Sequence, residues 1–335
     1  MDAYDNKSIL GKLVTALVVV YLLVAVGLGV YWSVEPEMWD VERVVEQDAA
    51  AQGKQPQVGF ATTSTLIRLT DTLINKPNGG YITNDIAPPG IWLDNMPNWE
   101  FGVLVQIRDM SRALRKDIAR SQSTSREDLD LARAEPQLHF DNKSFWFPST
   151  EGEYETGINY LRAYQARLLD DDATNAQFYA RADNLRNWLA DVETRLGSLS
   201  QKLSASVGKD QINVDLAGDT AARQSTQSPQ DMRLKTPFTQ IDDVFYEARG
   251  ASFALIHLLK AIEIDFKEVL EKKNAMVSLR QIVRELESTQ ENVASPMILN
   301  GSGFGLFANH SLVMANYISR ANAAIIDLRR LLEQG

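Results

Sequence analysis

The chain has 335 residues, of which 44% are hydrophobic and 23% are charged, a composition typical of a globular protein. It contains no Cys, which excludes disulfides, thiolate metal sites and Cys nucleophiles. The formal net charge of −10 leaves no overall basic field to hold phosphates, so we predict no nucleic-acid partner. Secreted eukaryotic domains of this size usually carry disulfides, and their absence here favours a bacterial cell envelope.

One apolar stretch near the start, residues 13–32, organises the prediction for the whole chain. It holds no charged residue and has the roughly 20-residue length that an α-helix needs to cross a hydrocarbon core. We therefore predict a transmembrane anchor over residues 13–32, whose partner is the lipid bilayer. Ala25 and Gly27 also mimic a small-residue cleavage pair, so a cleaved signal sequence is the alternative.

The charges that flank this stretch predict its orientation. Lys7 and Lys12 precede it, and no Lys or Arg follows it until Arg43. Positive charge stays on the cytoplasmic side, so residues 1–12 are predicted to face the cytoplasm of a bacterial inner membrane and the rest to lie in the periplasm. Within the stretch, Ala25 and Gly29 form a small-x-x-x-small pair, which favours self-association of the anchor.

The remainder is predicted to be an extracytoplasmic multi-helix bundle of the all-α class. Residues 33–61 are interpreted as a stalk, helical in its middle, that lifts the domain off the bilayer. Residues 62–203 and 237–335 form two halves of the bundle, because apolar residues recur in both at alternating spacings of three and four, a heptad seam typical of packed or coiled-coil helices. Residues 204–236 are polar and are interpreted as a linker or flap.

Two details of this pattern leave the local structure open. Ile212, Val214 and Leu216 alternate as in a short strand, but no partner strand is evident in the sequence. Residues 272–274 interrupt the apolar repeat of the helix that follows Pro237, which indicates a break, a bend or a stutter.

Irregular stretches between the helices supply the candidate binding residues. Residues 81–98 hold three prolines and Trp92, with Trp99 just beyond, and long loops of this kind are often functional. The two Trp side chains are predicted either to contact a partner or to fix the loop to the core. A second aromatic stretch, residues 145–147, is expected to wedge between helices.

A glycine-rich loop near the end of the chain is the other candidate. It lacks the lysine of a phosphate-binding loop and the frame of a nucleophile elbow. Its glycines are predicted either to let backbone segments pack closely or to present a recognition surface. The candidate partner-binding residues of this loop are Asn300, Gly301, Gly303, Phe304 and Gly305.

No arrangement in the sequence predicts a catalytic residue, a metal site or a cofactor. The three histidines, His139, His257 and His310, have no metal-ligand spacing, and His257 is expected to be partly exposed. The acidic run at residues 170–172 lacks the spacing of a calcium loop. A periplasmic hydrolase of cell-wall material, with His310 and carboxylates beneath the 204–236 flap, is an alternative, as is an envelope protein that binds a small ligand.

Three stretches carry a resemblance that covers nearly the whole chain: YITNDIAPPGIWLDNMPNWEFG, LHFDNKSFWFPSTEGEY and ILNGSGFGLFANHSLVMANYISRANAAIIDLR. With the single N-terminal anchor, they resemble an uncharacterised proteobacterial family of single-pass inner-membrane proteins, a domain-of-unknown-function family. The resemblance implies a Gram-negative inner-membrane setting and supplies no activity and no site residues. The leading prediction is therefore a non-catalytic interaction or scaffold protein that binds another envelope protein or itself.

Overall fold

The computed structural model describes residues 2–122, 125–170, 172, 175–212, 231–295, 297–302 and 305–334. Within these residues the regular secondary structure is helical apart from one pair of short strands, which confirms the predicted all-α bundle. The helices in chain order are α1 (Asp2–Trp32), α2 (Val41–Ala51), α3 (Phe60–Ile74), α4 (Asn95–Ala113), α5 (Leu129–Leu138), α6 (Thr150–Leu168), α7 (Ala182–Ser204), α8 (Ile241–Asp265), α9 (Lys267–Lys272), α10 (Met276–Glu287) and α11 (His310–Glu333). The strands are β1 (Lys209–Ile212) and β2 (Asp231–Leu234).

Helix α1 differs from the other helices in that most of its apolar side chains are not covered by the bundle. Its segment Ile9–Trp32 is long and apolar enough to cross a membrane, with a mean hydropathy of 2.7, and only 11% of its most apolar window is buried. It is the one helix of this kind in the described part of the chain. Length and composition alone fit a membrane anchor and a signal sequence equally well.

The apolar seams predicted from the sequence form the core of the bundle. Six of the seven seam residues of α7 are buried: Leu185, Leu189, Val192, Leu196, Leu199 and Leu203. Every residue of α8 from 248 to 259 is buried, which shows that other helices surround this part of α8. A single hydrophobic cluster contains residues from both predicted halves, so the polar segment between the halves does not separate two cores.

Helices α4 and α8 cross so closely that their backbones touch at two glycines. A Cβ atom on Gly250 would lie 2.0 Å from the carbonyl oxygen of Trp99, and a Cβ on Gly102 would lie 2.1 Å from that of Glu247. Neither position has room for any side chain, so the two glycines allow the crossing. The crossing places the Trp99 ring 5.1 Å from the ring of Phe253 in the core.

The helices run between two ends of the bundle, which we call the near end and the far end. At the near end, where α4 and α8 begin, Asn98 Nδ2 donates a hydrogen bond of 2.7 Å to Asp243. At the far end, where α8 finishes and α3 begins, Asp265 accepts hydrogen bonds from the backbone N–H groups of Gly59 and Thr62, at 2.8 and 2.7 Å. Helix α1 meets the bundle at the near end.

The interruption at residues 272–274 is a break between two helices. Helix α9 stops at Lys272, and α10 starts at Met276 in a new direction of the chain. Asn274 lies between them in the left-handed region, with φ of 52°. Asn adopts this conformation more readily than other non-glycine residues, so it suits a sharp change of direction.

Of the three residues whose alternation suggested a short strand, Ile212 lies at the end of β1. β1 pairs antiparallel with β2, in a register that runs from Lys209 opposite Leu234 to Ile212 opposite Asp231. This partner was not evident in the sequence, because the four-residue segment of β2 is too short for an alternating apolar pattern to be recognised. Val214 and Leu216, with the rest of residues 213–230, lie outside the described residues.

Candidate functional site at the junction of α1 and the bundle

The last turns of α1 pack against the loop that joins α3 to α4, residues 76–94, which we call the collar. A Cβ on Gly79 would lie 2.6 Å from the indole ring of Trp32, so the collar backbone touches this ring directly. A Cβ on Gly29 would lie 3.6 Å from Cβ of Pro89, an ordinary van der Waals distance. The collar therefore contacts α1 over at least one full turn.

Both small residues of the pair in α1 are covered, and Gly29 packs against the collar. Ala25 is only 3% exposed, and Gly29 is buried beside Pro89 and Leu93 of the same chain. The collar thus covers the Gly29 part of the surface predicted to self-associate, and close packing at this small residue occurs within one chain. Self-association of α1 stays a prediction.

A buried ion pair fixes the collar to α4. The Lys76 ammonium and the Glu100 carboxylate form a salt bridge in which both side chains are at most 1% exposed. Glu100 also accepts hydrogen bonds from the backbone N–H groups of Ile82 and Thr83, at 3.0 and 2.9 Å. Lys76 in turn donates to the Leu73 carbonyl at 3.1 Å. These partners compensate the loss of hydration that burial imposes on the two charges.

The segment after α1 is held by a second ion pair. Glu35, three residues beyond Trp32, accepts two hydrogen bonds from the fork of Arg249 on α8, from Nη2 at 2.6 Å and from Nε at 2.8 Å. Arg249 also donates to the carbonyl oxygens of Thr289 and Glu291, at 3.0 and 2.8 Å. The guanidinium thereby links the exit of α1, the central helix and the end of α10.

Trp39 and His257 form the next contact along the same segment. Their rings stack with centroids 3.7 Å apart, and the Trp39 backbone N–H donates to His257 Nε2 at 3.2 Å. His257 Nδ1 lies 2.7 Å from the Phe253 carbonyl oxygen and therefore carries the proton. The sequence prediction of a partly exposed His257 is wrong, because α8 is buried on all sides and the ring is fully covered.

We expect His257 to make the folded chain less stable in acid. Burial lowers the pKa of His257 to about 4, from an ordinary value of 6.5. The unfolded chain therefore takes up the proton first, so the contribution is complete above pH 6.5 and is lost as the pH falls towards 4. Between pH 7 and pH 4.5 the wild-type chain should lose about 2 kcal/mol more than His257→Gln, measured by urea unfolding in detergent.

The comparison with His257→Gln is needed because Asp265 changes the stability in acid in the opposite direction. Burial raises the pKa of Asp265 to about 6, so its contribution to the stability of the fold grows as the pH falls from 6 towards 3.8. Asp265 titrates in both chains and its effect cancels in the difference between them. Equal acid sensitivity of the wild type and His257→Gln would contradict the assignment.

Residues 33–61, predicted to be a stalk, lie on the bundle. The middle is helical as predicted, and Val41, Val45 and Ala49 of α2 form a cluster with bundle residues Phe60, Leu169 and Ala261. Ser64 of α3 donates a hydrogen bond to Asp48 of α2. The lifting role predicted for this segment is therefore wrong, since its apolar face packs on the bundle and does not hold it away from α1.

The two Trp candidates of the 81–98 stretch have different environments. Trp92 is 54% exposed on the collar. Trp99 is fully buried, so it plugs the core and offers no surface to a partner; the partner-binding hypothesis for Trp99 is wrong. Its position four residues before Val103 on the apolar stripe of α4 explains the burial.

The glycine-rich loop lies before α11, at the near end. Asn300 pairs with Asn309 in a β-bridge, and Gly301 N–H donates to the Ala308 carbonyl at 3.0 Å. A Cβ on Gly301 would lie 2.2 Å from the Phe307 carbonyl oxygen, so this glycine permits a close approach. Gly305 N–H closes a turn onto Ser302 at 2.8 Å. The two other candidates, Gly303 and Phe304, lie outside the described residues.

The tip of this loop presents large apolar side chains. Leu306 is completely exposed and Phe307 is 75% exposed. Gly301 thus serves the predicted close packing of backbone segments, and recognition of a partner by this loop stays a prediction.

The aromatic stretch 145–147 is exposed and does not wedge between helices as expected. Trp146 is 70% exposed and Phe147 is 98% exposed. Ser144 and Thr150 close the loop at its base, with the Thr150 N–H donating to the Ser144 carbonyl at 3.0 Å. We call residues 144–150 the knuckle. The wedge prediction failed because apolar character alone does not distinguish a buried from a presented aromatic side chain.

His310 lines a cavity of about 190 Å³ together with Arg249, Glu291, Tyr317 and others. Its Nδ1 accepts a hydrogen bond from the Leu299 N–H at 3.1 Å, which orients the ring for a structural role at the start of α11. The Arg249 side chain in this cavity is already held by Glu35. The polar groups of this cavity therefore join neighbouring segments of the chain. Among the described residues that line the cavity, no hydrogen bond links a nucleophile to a base.

The junction depends on residues that the sequence analysis did not select. Lys76, Glu100, Glu35 and Arg249 form the two ion pairs, and His257 receives the segment between α1 and α2. One signal was available, because Glu100 lies four residues after Met96 and four before Leu104 on the apolar stripe of α4. A charged residue on an inward-facing stripe indicates a buried partner.

No curated protein and no solved structure matches the chain. One family does, over residues 5–335, and its description is "Uncharacterized protein conserved in bacteria" (DUF2333). The match confirms the resemblance to a domain-of-unknown-function family, while the proteobacterial and inner-membrane parts of that resemblance stay predictions. Because the match covers nearly the whole length, the chain belongs to this family of bacterial proteins.

Proposed function

We propose that this protein is a non-catalytic scaffold of the bacterial envelope, anchored by α1 and carrying a helical bundle on the periplasmic side of the inner membrane. The observation that carries the proposal is the junction, in which the collar and the segment 33–39 hold the end of α1 against the bundle. A helix that is removed after export needs no such contacts. Ala25, part of the candidate cleavage pair, is buried there, which supports retention of the helix.

Cell fractionation with a periplasmic reporter tests the anchor. Alkaline phosphatase fused after Gly335 is expected to be active, and the fusion is expected to stay full-length in the membrane pellet after an alkaline wash. A Val20→Arg variant, which puts a charge at the centre of α1 at a cost of about 2.5–3.5 kcal/mol, should lower the membrane fraction. A shortened chain in the soluble periplasmic fraction would identify α1 as a signal sequence and overturn the proposal.

The loop that contains Leu306 and Phe307 is the proposed contact with another envelope protein. Exposed apolar side chains on a folded loop are typical of a binding surface. A photo-crosslinking amino acid at position 306 in living cells should give one discrete protein adduct. The same group at Val277, which is 75% exposed at the far end, is the control. Equal labelling at both positions would contradict a specific contact at this loop.

A further inference from the structure

The contacts of the collar determine how deep it lies if α1 spans a bilayer. Segment Ile9–Trp32 has 24 residues, which give a helix about 36 Å long at 1.5 Å per residue. A hydrocarbon core is about 30 Å thick, so the last turn of this segment reaches the boundary with the head groups. Gly29 lies in that turn and touches Pro89 and Leu93. The tip of the collar is therefore at the depth of the membrane boundary.

The collar presents apolar side chains at this depth. Ile86, Ile91 and Trp92 are 55%, 58% and 54% exposed, and they flank Pro89, which contacts α1. More than half of the surface of each of these residues is left uncovered by the described part of the bundle. Aromatic side chains such as Trp favour the boundary between hydrocarbon and water.

The knuckle extends the same surface. Asn84 of the collar donates from Nδ2 to the Ser144 carbonyl at 2.9 Å, and Tyr81 Oη donates to the Asn142 carbonyl at 2.9 Å. These bonds tie the knuckle to the collar at the near end. Trp146 and Phe147 then add two large exposed aromatic side chains at the end of the bundle where the collar lies.

We propose that the collar and the knuckle insert Ile91, Trp92, Trp146 and Phe147 into the head-group region of the outer leaflet, as a second membrane contact beside α1. The inference rests on the proposed anchoring of α1. Residues 77–99 contain no Lys or Arg and include Asp85 and Asp94, so insertion depends on apolar burial and not on attraction to anionic lipid. The bundle is thereby held at a fixed tilt on the membrane.

The absence of Cys lets single labels report on this contact. Ile91→Cys, Phe147→Cys, Val18→Cys and Val277→Cys are made in the full chain, labelled with an environment-sensitive fluorophore and reconstituted in phosphatidylethanolamine–phosphatidylglycerol vesicles. Labels at 91 and 147 should be quenched several-fold more by a shallow spin-labelled lipid than the label at 277. They should be shielded from iodide, with little change when the phosphatidylglycerol fraction is varied. The label at 18 should respond to a deep spin-labelled lipid.

The four positions separate this inference from the anchor on which it rests. A deep response at 18 with free access of iodide to 91 and 147 would overturn the second contact and leave the anchor intact. Shielding from iodide without quenching by lipid would identify a protein contact and also overturn it. No lipid quenching at any position, 18 included, would overturn the proposed anchoring itself.

Discussion

Replacing Glu100 by Gln is expected to lower the free energy of unfolding by about 3–5 kcal/mol, the cost typical of breaking a buried ion pair. The substitution leaves the Lys76 ammonium buried without its carboxylate, and it weakens the hydrogen bonds that Glu100 accepts from Ile82 and Thr83. Since a domain is commonly stable by only about 5–15 kcal/mol, the loss is a large fraction of the total. Urea unfolding of the detergent-solubilised full chain measures it.

Two further variants separate the ion pair from general effects of the substitution. Glu268→Gln removes the carboxylate of an exposed pair with Lys272, in which both side chains are more than three-quarters exposed, and should change stability little. Lys76→Met combined with Glu100→Gln removes the stranded charge and should be more stable than Glu100→Gln alone. If Glu100→Gln is as harmless as Glu268→Gln, the pair does not hold the collar.

The bundle was predictable from the sequence because its stability comes from periodic burial. An apolar residue at each three- or four-residue step, as in α7, has one plausible explanation, which is a helix with one face in a core. The same reasoning identified α1, whose uninterrupted apolar run is longer than a buried seam requires. Short-range patterns of this kind need no knowledge of which helix packs on which.

The junction was not predictable in the same way, because its contacts join distant parts of the chain. Glu35 and Arg249 are 214 positions apart, and Trp39 and His257 are 218 apart. A single sequence carries no record of such pairings. The prediction that residues 145–147 wedge between helices failed for a related reason. The residue types of Trp146 and Phe147 are the same whether the side chains fill a core or face a membrane, so the sequence does not distinguish the two.

The junction also bears on the proposed scaffold role. A flexible stalk would let the bundle sample many orientations and distances. Here α2 packs on the bundle, and the collar packs on α1, so the position of the bundle follows that of α1. The glycine-rich loop lies at the same near end, so under the proposed anchoring a partner bound to Leu306 and Phe307 would be held close to the bilayer.

Gly250→Ala is expected to destabilise the bundle by about 3 kcal/mol or more, at the upper end for overpacking, because the clash is between backbones. The added Cβ would lie 2.0 Å from the Trp99 carbonyl oxygen, so α4 and α8 would have to separate. Separation would shift Trp99 and with it the start of α4, where the collar is attached.

Gly197→Ala in α7 is the matched control, since the nearest atom to its added Cβ is Asn322 Nδ2 at 3.5 Å. That change should keep or raise stability, by up to about 1 kcal/mol, through the higher helix propensity of Ala. Urea unfolding of both variants beside the wild type measures the two effects. Equal unfolding midpoints for Gly250→Ala and Gly197→Ala would contradict the prediction, because they would mean that the crossing of α4 and α8 accommodates the added Cβ.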